Sequence, residues 1–122
     1  GDTLRETLYQ RAKLMAIAYL NDSTRTSEVA ERLMNTDRAI NSQVWANMNL
    51  INFDVSEEMK KFNKPVLILN GVDEIVHKDI AIYADSIFQD SKLILMEDCG
   101  HYGWLEKPEI YLKEVKEFLK SS

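Results

Sequence analysis

The sequence predicts an α/β protein in two differently patterned parts: a helical segment over residues 1–53, then a unit over residues 54–122 built on two parallel strands. Two continuous apolar runs, Val-Leu-Ile-Leu at 66–69 and Leu-Ile-Leu-Met at 93–96, have the length and composition of strands buried on both faces. Between them Ile80, Tyr83, Ala84 and Ile87 recur at i, i+3, i+4 and i+7, the mark of a helix with one apolar face. A strand, helix, strand order predicts a parallel pair joined by a right-handed crossover. Upstream of Lys64 the apolar residues keep helical spacing instead.

In chain order, residues 3–20 contain no Gly or Pro and place Leu4, Leu8, Met15 and Tyr19 at roughly helical spacing. The denser apolar patch at 14–20 predicts burial over the second half of this helix. Asn21, Asp22, Ser23 and Thr24 form a polar break, because their side chains compete for backbone hydrogen bonds. A second helix is predicted over 27–34 and a third over 37–48, with Ile40, Val44 and Met48 on one face. The Asn-rich stretch 47–52 should end it, and Asp54 should cap a short helix lined by Val55, Met59 and Phe62. The strands follow at 65–70 and 92–96. Pro108 then opens a last helix where a missing N–H costs little, with Tyr111, Leu112, Val115, Phe118 and Leu119 on its apolar side. No internal repeat or low-complexity tract occurs.

Composition narrows the function classes. The chain has 122 residues, 45% hydrophobic and 29% charged, the make-up of one modest globular unit. A net charge of -5 with no basic stripe argues against nucleic acid as a partner. No apolar stretch approaches the roughly 20 residues that cross a bilayer, so no membrane partner is expected. Cys99 is the only cysteine, which rules out an internal disulfide and favours a cytoplasmic setting. Two unclustered histidines argue against a metal site, and no cofactor is expected.

The loops after the two strands carry the chemistry. The first holds Asp73 and Glu74, the second His101, so a carboxylate and an imidazole lie just past the ends of neighbouring strands. The segment Lys64-Pro-Val-Leu-Ile-Leu-Asn-Gly-Val-Asp73, then Glu74-Ile-Val76, then Ser91-Lys-Leu-Ile-Leu-Met-Glu-Asp-Cys-Gly-His101, then Trp104-Leu-Glu-Lys-Pro108-Glu resembles the last two strands and final helix of α/β-hydrolases. The resemblance implies the C-terminal part of an α/β-hydrolase fold: a helical cap segment, then two parallel strands with a crossover helix and a C-terminal helix. It implies a triad in which an acid after the first strand orients His101, which takes a proton from the nucleophile. The family commonly sets its acid three residues after the glycine, the place of Glu74, whereas Asp73 is two after Gly71. The following Ile75-Val76 favours Asp73, as if the turn were one residue shorter, and Asp73 is the first choice. An aspartate here also suits a loop that caps itself. His77, near a predicted helix start, suits a solvated or capping role.

The nucleophile is not found. A nucleophile elbow is written G-x-S-x-G or similar, and Gly1, Gly71, Gly100 and Gly103 bracket no serine. Cys99, two residues before His101, reads as a small buried residue; a thiol enzyme using Cys99 and His101 is the alternative. Two parallel strands also leave unpaired edges, so more strands are expected from an N-terminal part of the same protein, or from a second copy by pairing or strand swapping. Trp45, Met34 and Met48 fit either a cap core or an acyl or aromatic pocket. Tyr102-Gly-Trp104 and the Pro-Glu helix start are similar to the proline iminopeptidase branch, whose members remove an N-terminal residue from peptides; acidic groups there hold the substrate amine, a role open to Glu28 or Glu31. The reading is therefore the acid and histidine half of a serine hydrolase acting on a small-molecule or peptide substrate, inactive alone. A non-catalytic binding or dimerisation module on a hydrolase scaffold is the alternative.

Overall fold

The computed structural model describes residues 1–121. Helix α1 (Asp2–Tyr19) lies along α2 (Thr26–Met34), the two joined by a 3-10 turn (Ser23–Arg25) that Asp22 opens by accepting a hydrogen bond from the Thr24 N–H. Small residues, Ala12 and Ala16 on α1 and Ala30 on α2, are fully buried and let the two backbones approach. Ala16, Leu20, Val29 and Tyr102 form one buried cluster, with Tyr19, Leu33 and Leu105 packed against it. The helical segment thus shares its core with the loop that carries His101.

Burial in α1 is narrower than its composition suggests. Leu14, Met15 and Ile17 are exposed, and only the stripe through Ala12, Ala16 and Leu20 faces protein. A helix presents one stripe to a single neighbour, and no second element covers the other side among the described residues. Helix α3 (Arg38–Leu50) starts at Asp37, whose Oδ1 accepts from the Ile40 N–H at 3.0 Å. It ends at Leu50, inside the Asn-rich stretch expected to end it, and the chain turns away at Asn52, whose φ of 50° is a left-handed conformation that Asn tolerates. It makes no substantial contact with another element, so Ile40, Val44 and Trp45 are exposed. In the short α4 (Ser56–Lys61), Asp54 accepts from both the N–H and the hydroxyl of Ser56.

Strands β1 (Val66–Gly71) and β2 (Ser91–Met96) are parallel, paired from Val66 opposite Ser91 to Gly71 opposite Met96. The crossover helix α5 (Lys78–Ile87) packs on both strands, and His77 caps it, its Nδ1 accepting from the Asp79 N–H. Burial on both faces holds only at the strand ends, at Asn70, Gly71 and Met96; Val66 through Leu69 are half-buried and Leu95 is exposed. Each strand has one partner in a two-stranded sheet, which leaves both outer edges open. After β2 comes a single-turn helix α6 (Gly103–Glu106) that the sequence pattern did not suggest, then α7 (Pro108–Ser121). On α7, Tyr111, Val115 and Phe118 are half-buried, while Leu112 and Leu119 face outward. Lys92 on β2 and Glu114 on α7 are 2.8 Å apart.

Candidate active site

The site forms where the chain leaves the two strands. The parallel ladder continues past them: Val72 N–H donates to Met96 O and Asp73 N–H to Cys99 O, each at 2.9 Å. This brings the loop after β1 directly against the loop after β2. The approach is so close that a Cβ at Gly71 would collide with the carbonyl oxygens of Cys99 and Gly100. Gly100 meets the same limit from the other side, since its Cβ would sit 2.5 Å from Tyr19 O. Glycine is required at both places because backbone packs on backbone there.

His101 is held at the end of this stack. Its N–H donates to Tyr19 O, the last residue of α1, at 2.7 Å. Its Nδ1 lies 2.5 Å from Glu74 Oε1. The edges of Tyr19 and Tyr102 meet the imidazole with centroid separations of 5.4 and 5.2 Å. The Glu74 side chain is 10% exposed and the imidazole 40%, so the acid is covered while the base reaches solvent. With Nδ1–H donated to the carboxylate, the neutral ring keeps its lone pair on Nε2.

The carboxylate beside the ring is Glu74, whereas the sequence favoured Asp73 for that place. Asp73 spends its N–H on Cys99 O and is exposed to solvent. The signal for Glu74 was in the sequence, in its three-residue spacing from Gly71, and the weight given to Ile75-Val76 obscured it.

One further carboxylate organises the loop. Glu106, on α6, accepts three backbone N–H groups: Gly100 at 2.8 Å and Asn21 at 3.1 Å on Oε1, and Asp22 at 2.8 Å on Oε2. Its position two residues before Pro108 was visible, but nothing in a linear pattern ties it to residues some 80 positions upstream.

A cleft of about 460 Å³ opens at the site, with Glu74, His101, Tyr102, Trp104, Arg32, Leu67 and Leu69 among its lining residues. The Arg32 guanidinium stacks 5.9 Å from the Tyr102 ring centre. Glu28 and Glu31, considered as holders of a substrate amine, do not line this cleft: Glu28 is paired with Arg25 at 2.7 Å and Glu31 with Arg5 at 3.0 Å. Trp45 and Met48 line a separate shallow groove with Phe53, and Met34 lines another with Leu8 and Met15. The Cys99 thiol is buried, and burial, with Glu106 nearby, pushes its pKa up to about 11. A thiol so reluctant to ionise is a poor nucleophile, which argues against a thiol enzyme using Cys99 and His101. Among the described residues no three His, Cys, Asp or Glu side chains converge as a metal site, and no helix is long and apolar enough to cross a membrane.

A helix-flanked parallel pair with an acid and a histidine at its carboxyl ends is the C-terminal part of an α/β-hydrolase fold, and comparison with solved structures gives the same class. The chain superposes with a TM-score of 0.72 over 92% of its length on 44% of the 2-hydroxy-6-oxo-6-phenylhexa-2,4-dienoate hydrolase of Rhodococcus sp. strain RHA1, at 15% identity. It superposes with a TM-score of 0.75 on the meta-cleavage product hydrolase CumD, at 14% identity, covering 93% of this chain and 46% of that one. In sequence its curated relatives are proline iminopeptidases, aligned over its C-terminal portion. The Lactobacillus crispatus (strain ST1) enzyme is 30% identical over 71 residues, 58% of this chain and 24% of that protein. The Heyndrickxia coagulans enzyme is 32% identical over 73 residues, 60% and 25% of the two. The aligned part is about a quarter of the length of these relatives. No protein-family model matches the chain.

Proposed function

We propose that this chain supplies the acid and base of a Ser-His-Glu triad in a serine hydrolase, with Glu74 and His101 in those roles and the nucleophile and oxyanion hole provided by sequence outside these 122 residues. The observation that carries the reading is the 2.5 Å contact between Glu74 and the Nδ1 of His101 at the carboxyl ends of adjacent parallel strands. In the complete site, Nε2 takes the proton from the serine hydroxyl as it attacks the scissile carbonyl. Glu74 stays ionised and stabilises the imidazolium. The same ring then protonates the departing amine or alcohol, and a water deprotonated by Nε2 hydrolyses the acyl-enzyme. The curated relatives favour a peptide substrate cleaved near its N-terminus, with residues 1–53 forming the cap over the cleft. On this reading the chain by itself turns over no substrate.

The test is fluorophosphonate labelling of the full-length parent and of this chain, with the modified residue mapped by mass spectrometry. One labelled serine in the parent, lost activity in His101→Ala with the fold retained, and no label on this chain are the expected results. A folded parent that takes no label, or His101→Ala with unchanged turnover, would sink the proposal and leave a binding module on a hydrolase scaffold.

A further inference from the structure

We infer that Glu106 is the positioning residue of this site, a carboxylate that sets the placement of His101 by gathering the loop of the base and the end of the helical segment onto one group. The inference rests on the hydrolase reading for its catalytic consequence, though not for its geometry. Glu106 accepts from Gly100 and Asn21 on Oε1 and from Asp22 on Oε2. The Gly100 N–H is one residue from the base, and the next amide, that of His101 itself, is bound to Tyr19 O at 2.7 Å. Two consecutive amides at the base are therefore fixed against the end of α1. One is held by its last carbonyl, the other by a carboxylate that also holds the two amides just past its end.

The chemistry requires a carboxylate. Three N–H groups converge on two oxygens, and an ionised carboxylate offers only acceptors, in charge-assisted bonds about twice as strong as neutral ones. A glutamine would turn an NH₂ donor toward at least one of these N–H groups. No other residue of α6 can replace it: Gly103, Trp104 and Leu105 carry no side-chain acceptor, and Lys107, just after it, is a donor. Glu106 is not itself part of the cleft lining and reaches the loop of the base through the Gly100 N–H, so it acts through the backbone. If it lets go, Gly100 loses a bond, the peptide before His101 can rotate, and the Nδ1–H no longer meets Glu74.

Two readouts test this. In the 15N-labelled chain, Glu106→Gln should raise hydrogen exchange at Asn21, Asp22 and Gly100 selectively. It should also shift the neutral His101 ring from the Nδ1–H form that Glu74 selects toward Nε2–H, visible in its ring nitrogen shifts; His77 is the internal control. In the full-length enzyme the same variant should lower kcat about 100-fold, the scale of a 1 Å misplacement, with KM within about threefold. Glu106→Asp keeps the charge but withdraws it by one carbon, and should fall between wild type and Glu106→Gln; if the glutamine variant does not fold, the aspartate variant decides on the same readouts. A folded variant with the His101 tautomer and kcat unchanged would overturn the inference, whatever its melting temperature. Should the parent hydrolyse nothing, the exchange and tautomer results still decide the anchoring, and the failure belongs to the hydrolase reading.

Discussion

At the scale of single residues, one contact decides which carboxylate matters. The ring and Glu74 meet at 2.5 Å, while Asp73 is exposed to solvent. Glu74→Gln in the full-length enzyme is therefore expected to lower kcat on the order of 10³- to 10⁴-fold, as loss of the correct tautomer does in a triad, and Asp73→Asn to leave it within about twofold. Steady-state kinetics of the two variants check this, and the reverse ranking would return the acid to Asp73. Cys99 offers a second prediction. Its ordinary pKa of 9.0 is raised to about 11 in the folded chain, mainly by burial. Iodoacetamide at pH 8 should thus alkylate it far more slowly in the folded chain than in urea, and equal rates would contradict a buried thiol. The sign for stability follows from the same shift. The unfolded thiol gives up its proton first, so the contribution is intact below about pH 9 and is lost as pH rises toward 11.

At the scale of elements, caps and contacts explain which segments hold and which were misjudged. Asp54 accepts from the Ser56 hydroxyl and then its N–H, and these bonds hold its carboxyl below the ordinary carboxylate value. A lowered folded pKa means that the stabilisation of α4 is present above the ordinary value and fades as pH falls through the lowered one. Amide exchange in residues 57–61 should accelerate over that acid range in wild type and be faster at neutral pH in Asp54→Ala; protection indifferent to both would remove the cap. The strands, the crossover helix and the Pro108 start were legible because each is written in consecutive residues with a clear period. The overestimate at residues 14–20 has a different origin. Leu14, Met15 and Ile17 look like core by composition, but burial depends on what stands opposite, which no local pattern records. The same limit hid the triple acceptor at Glu106, two of whose three partners lie more than 80 residues upstream, and α6, whose single turn is too short to show a period.

At the scale of the whole molecule, two strands with open outer edges and half-buried side chains leave pairing capacity unused. Such edges template association. The 122-residue chain is expected to sediment as a concentration-dependent mixture of monomer and larger species, and a lone monomer at all concentrations would show that the edges are blocked. The join between the helical segment and the loop of the base has another consequence. Most hydrogen bonds across it use main-chain groups of residues 19–22, namely the Tyr19 carbonyl and the Asn21 and Asp22 amides, and Arg25 adds one side-chain bond to Leu105 O. Main-chain groups are common to nearly all amino acids, so a lineage can rewrite the exposed faces of the helical segment without moving His101. A recombination point placed after Arg25 would carry all of these hydrogen bonds with the upstream half, whereas one placed among residues 19–22 would have to match a backbone path and not a sequence.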